Sequence, residues 1–127
     1  MKIKFRECIS KQGTLILSGK DAESNEALVG QAEKEEIVLH TAMPGSPFVN
    51  IKGKTKRGDI KEAAICCASR SQDWRDNKSD VQIHIFKGKD IYKLKGMKTG
   101  TFGVRNFKSI KIKKKEIEKF LQGGKKK

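Results

Sequence analysis

Residues 36–41, EIVLHT, are the segment that most restricts the fold of this chain. Apolar side chains occupy both faces of the extended strand, a pattern typical of a strand at the centre of a sheet. Residues 47–53, PFVNIKG, then alternate with period two and put Phe48 on one face and Val49 on the other. We therefore predict two partner strands joined by a turn at Pro44-Gly45-Ser46.

Other short apolar runs bounded by turn residues predict the rest of the sheet. The first two form a hairpin around the KQG turn. The predicted strands are residues 3–9, 14–20, 81–86, 91–94, 101–107 and 109–113. The predicted fold is α+β, a mostly antiparallel β-sheet with two main helices packed on it. We expect one domain, residues 1–122, followed by a basic disordered tail, residues 123–127.

Two stretches predict the main helices. Acidic residues open the first, within 21–36, and Asp59 with Glu62 forms a capping-box pattern at the start of the second, within 59–75. A short third helix is expected at 114–122. The predicted inward-facing residues are Ala22, Leu28 and Ala32 in the first helix, Ile60, Ala63, Ala64, Cys67, Ser71 and Trp74 in the second, and Ile117, Phe120 and Leu121 in the third.

Positive charge is concentrated in the last third of the chain. The formal net charge is +14, and residues 87–127 carry 15 basic but only 3 acidic residues. Such asymmetry predicts a polyanionic partner, which nucleic acid, anionic lipid or an acidic protein surface would each provide. The only candidate membrane helix, 114–122, is short, and the charged start MKIKFRECIS argues against an export signal. We expect a cytoplasmic protein without a membrane role.

The histidines and cysteines do not form a recognisable catalytic or metal pattern. His40 and His84 have no nucleophile, carboxylate or further ligand at a telling spacing, so we expect no catalytic residue, metal or cofactor. An enzyme acting through Cys66 or Cys67 would need an exposed thiol with a lowered pKa. Three cysteines without a CxxC motif fit a reducing compartment with free thiols.

Two basic segments are the predicted nucleic-acid contacts. The first is the loop at 52–58 and the second is the segment at 93–113, where glycines and aromatic residues accompany the lysines. Phe102 and Phe107 either stack on bases or belong to the core. His40, Gly45 and Ser46 either contact the ligand or form a hydrogen-bonded corner. The predicted cationic contacts are Lys52, Lys54, Lys56, Arg57, Lys93, Lys95, Lys98, Arg105 and Lys108.

Five stretches in a fixed order also carry a family resemblance. They are FRECIS, TLILSGKDAESNEAL, EIVLHTAMPGSPFVNIKG, EAAICCASRS and KLKGMKTGTFGVRNFKSIKIK. Together they span about residues 4–113 and resemble the NFACT-R domain, the RNA-binding module of ribosome-quality-control and fibronectin-binding-like NFACT proteins. The match includes Asn25, Glu26 and Leu28 in the first helix, and Lys93 to Gly96 in place of the family's Lys-Pro-Lys-Gly loop, with Leu94 at the proline position.

The resemblance implies binding of structured RNA, tRNA or rRNA, with the ribosome as a possible further partner. The chain lacks the other NFACT modules, so we expect a stand-alone NFACT-R protein. Two alternatives stay open: a protein-interaction adaptor that docks on the ribosome or an acidic partner, and an accessory factor in tRNA modification. The resemblance is compatible with both interpretations of His40.

Overall fold

The computed structural model describes residues 4–125. One sheet contains β1 (Arg6–Ile9), β2 (Leu15–Ser18), β3 (Ile37–Thr41), β4 (Val49–Ile51), β5 (Val81–Lys87) and β8 (Lys108–Ile112). Its strand order is β1-β2-β4-β3-β5-β8, and every neighbouring pair is antiparallel. A second, two-stranded sheet consists of β6 (Ile91–Tyr92) and β7 (Gly103–Val104). The helices are α1 (Ala22–Gln31), α2 (Asp59–Ser69), α3 (Gln72–Asn77) and α4 (Lys114–Lys125). The predicted α+β fold is confirmed.

Strand β3 lies at the centre of the main sheet, as its apolar pattern predicts. It pairs with β4 on one side and with β5 on the other. Val38 and Leu39 point to opposite faces, and both are fully buried. Layers therefore cover both faces of the sheet at this point.

Helix α2 covers the first face, and α3 and α4 contribute side chains to the same core. Ala63, Ala64 and Cys67 of α2 pack there with Leu39, and small side chains let a helix axis approach a sheet closely. The other members of this core include Ile16, Val49, Ile51, Trp74, Val81, Ile83, Ile112 and Ile117. Burying each large aliphatic side chain contributes about 1.5–3 kcal/mol.

Helix α1 and the β6–β7 hairpin cover part of the second face. The core there consists of Leu28 from α1 with Leu17, Val38, Phe48 and Phe86 from the sheet. Phe102 and Val104 of the hairpin region pack against it. This smaller layer leaves one end of the face open.

The second predicted helix is interrupted at Ser71. Its hydroxyl donates to the Ala68 carbonyl (2.7 Å) and accepts the Trp74 N–H (3.1 Å), so one residue ends α2 and caps α3. A side chain that satisfies both helix ends favours this break. Ser71 and Trp74 are nevertheless buried, as the predicted stripe requires.

The predicted capping box at Asp59 is wrong. Helix α2 begins at Asp59 itself, after Gly58 in the left-handed region at φ 91°. The Asp59 carboxylate accepts the N–H of Lys56 (2.8 Å) and so closes the preceding loop, while Glu62 accepts the N–H of Lys11. Both carboxylates therefore hold neighbouring loops to the helix.

Three predicted inward-facing residues are exposed. Ala22 begins α1 at the surface, and in α4 Phe120 and Leu121 are 41% and 36% exposed, while Ile117 is fully buried. Helix α4 packs on α2 along a narrow contact marked by the Lys61–Glu116 ion pair, so one apolar position suffices to anchor it. The helix continues to Lys125, through part of the predicted tail; residues 126–127 lie outside the described part.

The predicted strand at 91–94 is shorter and pairs differently from a simple return strand. A 3-10 turn at Gly88–Asp90 turns the chain away from β5, and Ile91 pairs with Val104 of β7. Strand β8 takes the vacant edge of β5 instead. Of the predicted strand at 101–107 only Gly103–Val104 is extended and paired.

Candidate nucleic-acid interface

A groove of about 720 Å³ crosses the open end of the sheet's second face. It lies where β2 and β3 end and β4 begins, beside the first turn of α1 and the segment that precedes β7. Aromatic side chains and cations from separate parts of the chain line it together. We call this region the groove end of the molecule.

Five rings form an aromatic row along the groove. His40 stacks on Phe48 with ring centroids 4.3 Å apart, and His84 stacks on Phe107 at 4.1 Å. His40 and His84 are directly paired residues of β3 and β5, so the two stacks are adjacent. Phe102 completes the row edge-on to Phe48 at 5.5 Å. The period-two alternation of the strands places these rings on one face.

Burial favours the neutral form of both histidines. Burial lowers the pKa of His40, and its hydrogen bond to the Thr41 carbonyl offsets this only in part. Burial also lowers the pKa of His84. Because a carbonyl can only accept, the Nδ1 of His40 carries the proton that it donates to Thr41 O at 2.9 Å. The two rings therefore act as uncharged stacking surfaces.

Four cations line the groove and have no carboxylate partner among residues 4–125. These groove cations are Arg6, Lys20, Arg70 and Arg75. The guanidinium of Arg75 donates to the carbonyl of Arg70 (3.1 Å) and to Gln72 Oε1 (2.9 Å), while Arg70 donates to the sulfur of Cys66 (3.4 Å). The acid that lines the groove, Asp21, instead caps α1 by accepting the Ser24 N–H at 2.8 Å. The groove is therefore strongly positive.

The predicted Pro44-Gly45-Ser46 turn forms a rigid wall of the groove. Gly45 has φ 89°, its carbonyl accepts the Gln72 N–H (2.8 Å), and an added Cβ would lie 2.8 Å from the Gln72 side chain. The Ser46 hydroxyl accepts the Thr41 N–H (3.1 Å), so it is occupied within the turn. The hydrogen bonds of His40 and Ser46 are compatible with the interpretation of this segment as a hydrogen-bonded corner. Both residues also line the groove.

The family is decided by comparison with known proteins. The model of the NFACT protein RNA binding domain matches residues 4–106. The chain belongs to the NFACT-R family. The archaeal Rqc2 homolog aRqcH of Methanocaldococcus jannaschii is 31% identical over an alignment of 101 residues, which covers 73% of this chain and 15% of that protein. The C-terminal part of the fibronectin/fibrinogen-binding protein from Streptococcus suis superposes with a TM-score of 0.79 at 25% identity, covering 94% of this chain and 49% of that structure.

The family motif in α1 holds the NFACT-R fold together beside the groove. Asn25 Oδ1 accepts the N–H of Phe48 (3.0 Å), which fixes the start of β4. Glu26 accepts the Gly100 N–H (2.6 Å) and the Lys93 ammonium (3.0 Å), and these two bonds lower the pKa of Glu26. Leu28 is fully buried. The motif thus joins α1, β4 and the loop before β7.

Lys93 has a structural position in this NFACT-R chain. Its ammonium contacts Glu26, donates to the carbonyls of Lys98 (2.6 Å) and Thr101 (2.7 Å), and lies 4.5 Å from the centre of the Phe102 ring. These contacts use all three N–H donors of the ammonium. Lys95 and Lys98 of the same loop are exposed, without a carboxylate contact in the described part of the chain.

The remaining predicted cations of the second segment, Arg105 and Lys108, are exposed but do not line the groove. Arg105 lies over the Tyr92 ring, 5.1 Å from its centre. Lys108 follows Phe107 directly and is exposed at the start of the edge strand β8. Both side chains are at the surface, on the chain segment that supplies one side of the groove.

The predicted basic loop at 52–58 lies at the opposite end of the sheet, which we call the loop end. Lys52 follows β4, donates to Glu36 (2.7 Å) and Gln31 (2.8 Å), and forms an ion pair with Glu36. Lys56 reaches the Gln12 carbonyl at 3.3 Å. Lys54 and Arg57 are exposed. The structure therefore does not bring the two predicted basic segments together.

Sequence reasoning missed all four groove cations. They come from β1, from the residues before α1, and from the α2–α3 region, and they share no motif or spacing. A weak signal was available for three of them, because Arg6, Lys20 and Arg70 stand in the FRECIS, TLILSGKDAESNEAL and EAAICCASRS stretches of the family resemblance. Only the packing of α3 against the 44–46 turn brings Arg75 to the groove.

The cysteines do not meet the requirement for a nucleophile at Cys66 or Cys67. Both thiols are buried; a hydrogen bond with Cys8 raises the pKa of Cys66, and burial raises the pKa of Cys67 to about 12. Cys8 is half-buried, and its hydrogen bond to Cys66 lowers its pKa to about 6. The thiol with thiolate character is therefore one that sequence reasoning did not single out.

Among the described residues there is neither a helix that could span a membrane nor a cluster of metal ligands. Across residues 4–125 no helix combines the length and apolarity that a bilayer crossing requires. Within the same range, no cluster of three or more His, Cys, Asp or Glu side chains is arranged to hold a metal ion.

Proposed function

We propose that this chain binds RNA at the groove end, with the RNA phosphates held by the groove cations. The observation that carries the proposal is the set of four cations without a carboxylate partner in the described structure, placed around a row of stacked rings. Lys95 and Lys98 are exposed in the loop that leads to the groove residues Gly100 and Thr101, and Arg105 and Lys108 are further proposed contacts.

Phosphates are the ligand class that this charge distribution fits. An arginine guanidinium binds phosphate oxygens in bidentate fashion, and release of condensed counterions drives association with a polyanion. The N–H groups of Gly45 and Ser46 have no hydrogen-bond acceptor among residues 4–125, and both residues line the groove.

Membership of the NFACT-R family and the likeness to an archaeal Rqc2 homolog support an RNA ligand. We propose that the RNA is structured, a tRNA or rRNA, and that the chain acts without catalysis on or near the ribosome, in quality control or RNA metabolism. A cytoplasmic location belongs to the same proposal. The chain spans 15% of that relative's length, so the relative's whole activity is not transferred.

The test compares two pairs of charge reversals. Arg6→Glu with Lys20→Glu changes the groove end, and Lys54→Glu with Arg57→Glu changes the loop end by the same net charge. All four side chains are exposed and make no ion pair in the described structure, so we expect both variants to fold. The measurement is binding of a tRNA by filter retention or fluorescence anisotropy across a salt series, with thermal melting as the control for folding.

We expect the groove variant to lose at least about tenfold in affinity and to flatten the slope of log K against log salt by about 1.4, for two lost phosphate contacts. The loop variant should lose less than about threefold, because long-range attraction between exposed charges is screened. Equal losses in both variants would contradict a localised site. Absence of binding even at low salt would contradict RNA binding itself.

A further inference from the structure

Phe107 is the least covered ring of the aromatic row. It is 51% exposed, although its inner face is stacked on His84 at 4.1 Å with an interplanar angle of 26°. The other rings are more covered: Phe48 is buried, and His40, His84 and Phe102 are half-buried. One face of the Phe107 ring therefore packs on His84, and the other face is exposed at the groove.

Its backbone setting also keeps this ring in position. Phe107 directly precedes β8, whose pairing with β5 aligns Ser109 with His84. Residues 107 and 109 lie on the same face of the strand, so the register places Phe107 beside His84. A ring that is fixed before binding loses little conformational freedom when a ligand stacks on it.

A ligand that stacks on Phe107 also meets the charge of the groove. Arg70, Arg75 and Lys20 line the same cavity as the ring, and none of them contacts a carboxylate in the described residues. The cavity volume, about 720 Å³, falls within the roughly 300–1,000 Å³ typical of small-ligand sites. A flat apolar face beside several phosphate-binding groups matches the two halves of a nucleotide, its base and its phosphate.

The base must be unpaired to reach this position. In an A-form duplex the base faces are covered by their neighbours, and a protein contacts mainly phosphates, 2′-hydroxyls and the edges of the shallow groove. Stacking on a protein ring therefore requires a base from a loop, a bulge or a single-stranded end. Neutral His84 behind Phe107 extends the stack without adding a competing charge.

We infer that the groove takes an unpaired nucleotide of the bound RNA, with its base stacked on the exposed face of Phe107 and its phosphates against the groove cations. The inference rests on the proposed function, because it names which part of an RNA enters the site. It assigns Phe107 a direct contact and makes single-stranded character the feature that the chain selects.

The experiment uses two synthetic RNA hairpins with the same stem, one blunt and one with about five unpaired nucleotides at its 3′ end. A 2-aminopurine in the overhang reports stacking, because its fluorescence is quenched when it stacks on an aromatic ring. The full chain is compared with Phe107→Ala, Phe107→Trp and Phe107→Leu. Phe120→Ala is the matched control, since Phe120 is a similarly exposed phenylalanine on α4, outside the groove.

We expect the parent chain to bind the overhang hairpin at least about fivefold tighter than the blunt one and to quench the probe. Phe107→Ala and Phe107→Leu should lose about tenfold in affinity for the overhang hairpin, equal to about 1.4 kcal/mol. Both should also lose the preference and the quenching. Phe107→Trp should keep all three properties, and Phe120→Ala should behave as the parent.

The outcomes separate the inference from the proposed function. Equal binding of both hairpins, with no effect of Phe107→Ala but weaker binding by Arg6→Glu/Lys20→Glu, would overturn the inference and leave the RNA-binding proposal standing. Failure to bind either hairpin at low salt would overturn both. Thermal melting checks that the Phe107 variants are folded, and loss of binding with Phe107→Trp as well as Phe107→Ala would contradict the stacking role.

Discussion

The two ends of the sheet carry comparable numbers of basic side chains but treat them differently. At the loop end Lys52 pairs with Glu36, and Lys87 and Lys89 both contact Glu35. At the groove end Arg6, Lys20, Arg70 and Arg75 face a shared cavity and have no carboxylate contact among residues 4–125. Part of the basic set thus serves internal pairing at the loop end, where Lys54 and Arg57 make no ion pair in the described structure, while all four groove cations stay available for a ligand.

Under the proposed function, the position of the carboxylates, more than the number of lysines, distinguishes the phosphate-binding end from the loop end. An exposed ion pair adds about 0–1 kcal/mol to stability, yet it cancels the local field that would attract a polyanion. Glu33, Glu35 and Glu36 all line a cleft beside the 52–58 loop. A contact role for Lys54, Lys56 and Arg57 stays a prediction, and the loop-end charge reversal tests it.

We expect the largest difference between the two ends when the glycine of each turn is substituted, because the two substitutions should lower the free energy of unfolding by different amounts. Gly45 at the groove end and Gly53 at the loop end both have positive φ, 89° and 71°. An added Cβ at Gly45 would lie 2.8 Å from the Gln72 side chain, whereas at Gly53 it would meet open space. We expect Gly45→Ala to lower the free energy of unfolding by about 2–3 kcal/mol and Gly53→Ala by about 1 kcal/mol.

Chemical denaturation of both variants measures this difference, with an unchanged m-value as the control for two-state behaviour. Because the Gly45 turn walls the groove, Gly45→Ala should also weaken tRNA binding while Gly53→Ala leaves it unchanged. Equal stability losses would show that the contact between the turn and α3 is loose enough to relax.

The two ends should also lose stability in different pH ranges. At the groove end the pKa of His40 is lowered below its usual 6.5 by burial, so the unfolded chain binds a proton more readily than the folded one. Stability therefore falls as the pH drops below about 6.5. At the loop end burial raises the pKa of Glu36, but the Gly53 N–H and the Lys52 ammonium outweigh this and lower it overall. Its contribution is present above about 4.5 and is lost only below that.

Urea denaturation between about pH 7.5 and 3 measures these two ranges. His40→Phe keeps a ring against Phe48 and should flatten the dependence of stability on pH below about 6.5. Glu36→Gln should flatten only the more acidic range. A pH profile of His40→Phe that coincides with that of the parent would contradict a buried neutral histidine.

The smallest expected effect on RNA affinity comes from the cysteines on the helix-covered face. Since the pKa of Cys8 is lowered to about 6 by its hydrogen bond to Cys66, Cys8 should react with iodoacetamide at pH 7. Cys67, fully buried with a pKa of about 12, should react only after unfolding. Mass spectrometry of the native chain identifies the modified thiol, with Cys8→Ser as the control.

Alkylation at Cys8 should change tRNA affinity by less than about twofold, because Cys8 does not line the groove. A rate that rises through about pH 6 would support the lowered pKa. First modification at Cys66 or Cys67 would instead reverse the assignment.

Much of the sheet could be predicted, because its signals are local. The alternation in 47–53 and 81–86 and the doubly apolar 36–41 segment each specify which faces are buried, and the structure confirms the hairpin at β1–β2 and the central place of β3. The ends of the helices were harder to predict from the sequence. The break at Ser71 depends on one hydroxyl that bonds on both sides, and the exposure of Phe120 depends on how much of α4 finds a partner.

The site could be predicted only in part, because the sequence shows where a charged residue stands but not which residue it contacts in the fold. Lys93 and Lys95 stand two residues apart and look equivalent in the sequence, but Lys93 is held by Glu26 from a distant helix. Arg75 belongs to no predicted contact and to no stretch of the family resemblance, yet packing of α3 places it at the same groove as Lys20. Such pairings form between residues more than 50 positions apart, beyond the reach of any local pattern.

The amino-acid sequence alone determined the α+β class, the central strand, the basic character and the likeness to an RNA-binding family, because period, composition and motif order are properties of neighbouring residues. Tertiary structure decided which cations keep their charge available, where His40 and His84 meet, and which phenylalanine remains uncovered. Those properties arise only when strands and helices that are distant in the chain close around a shared groove, since burial and ion pairing depend on what surrounds a side chain.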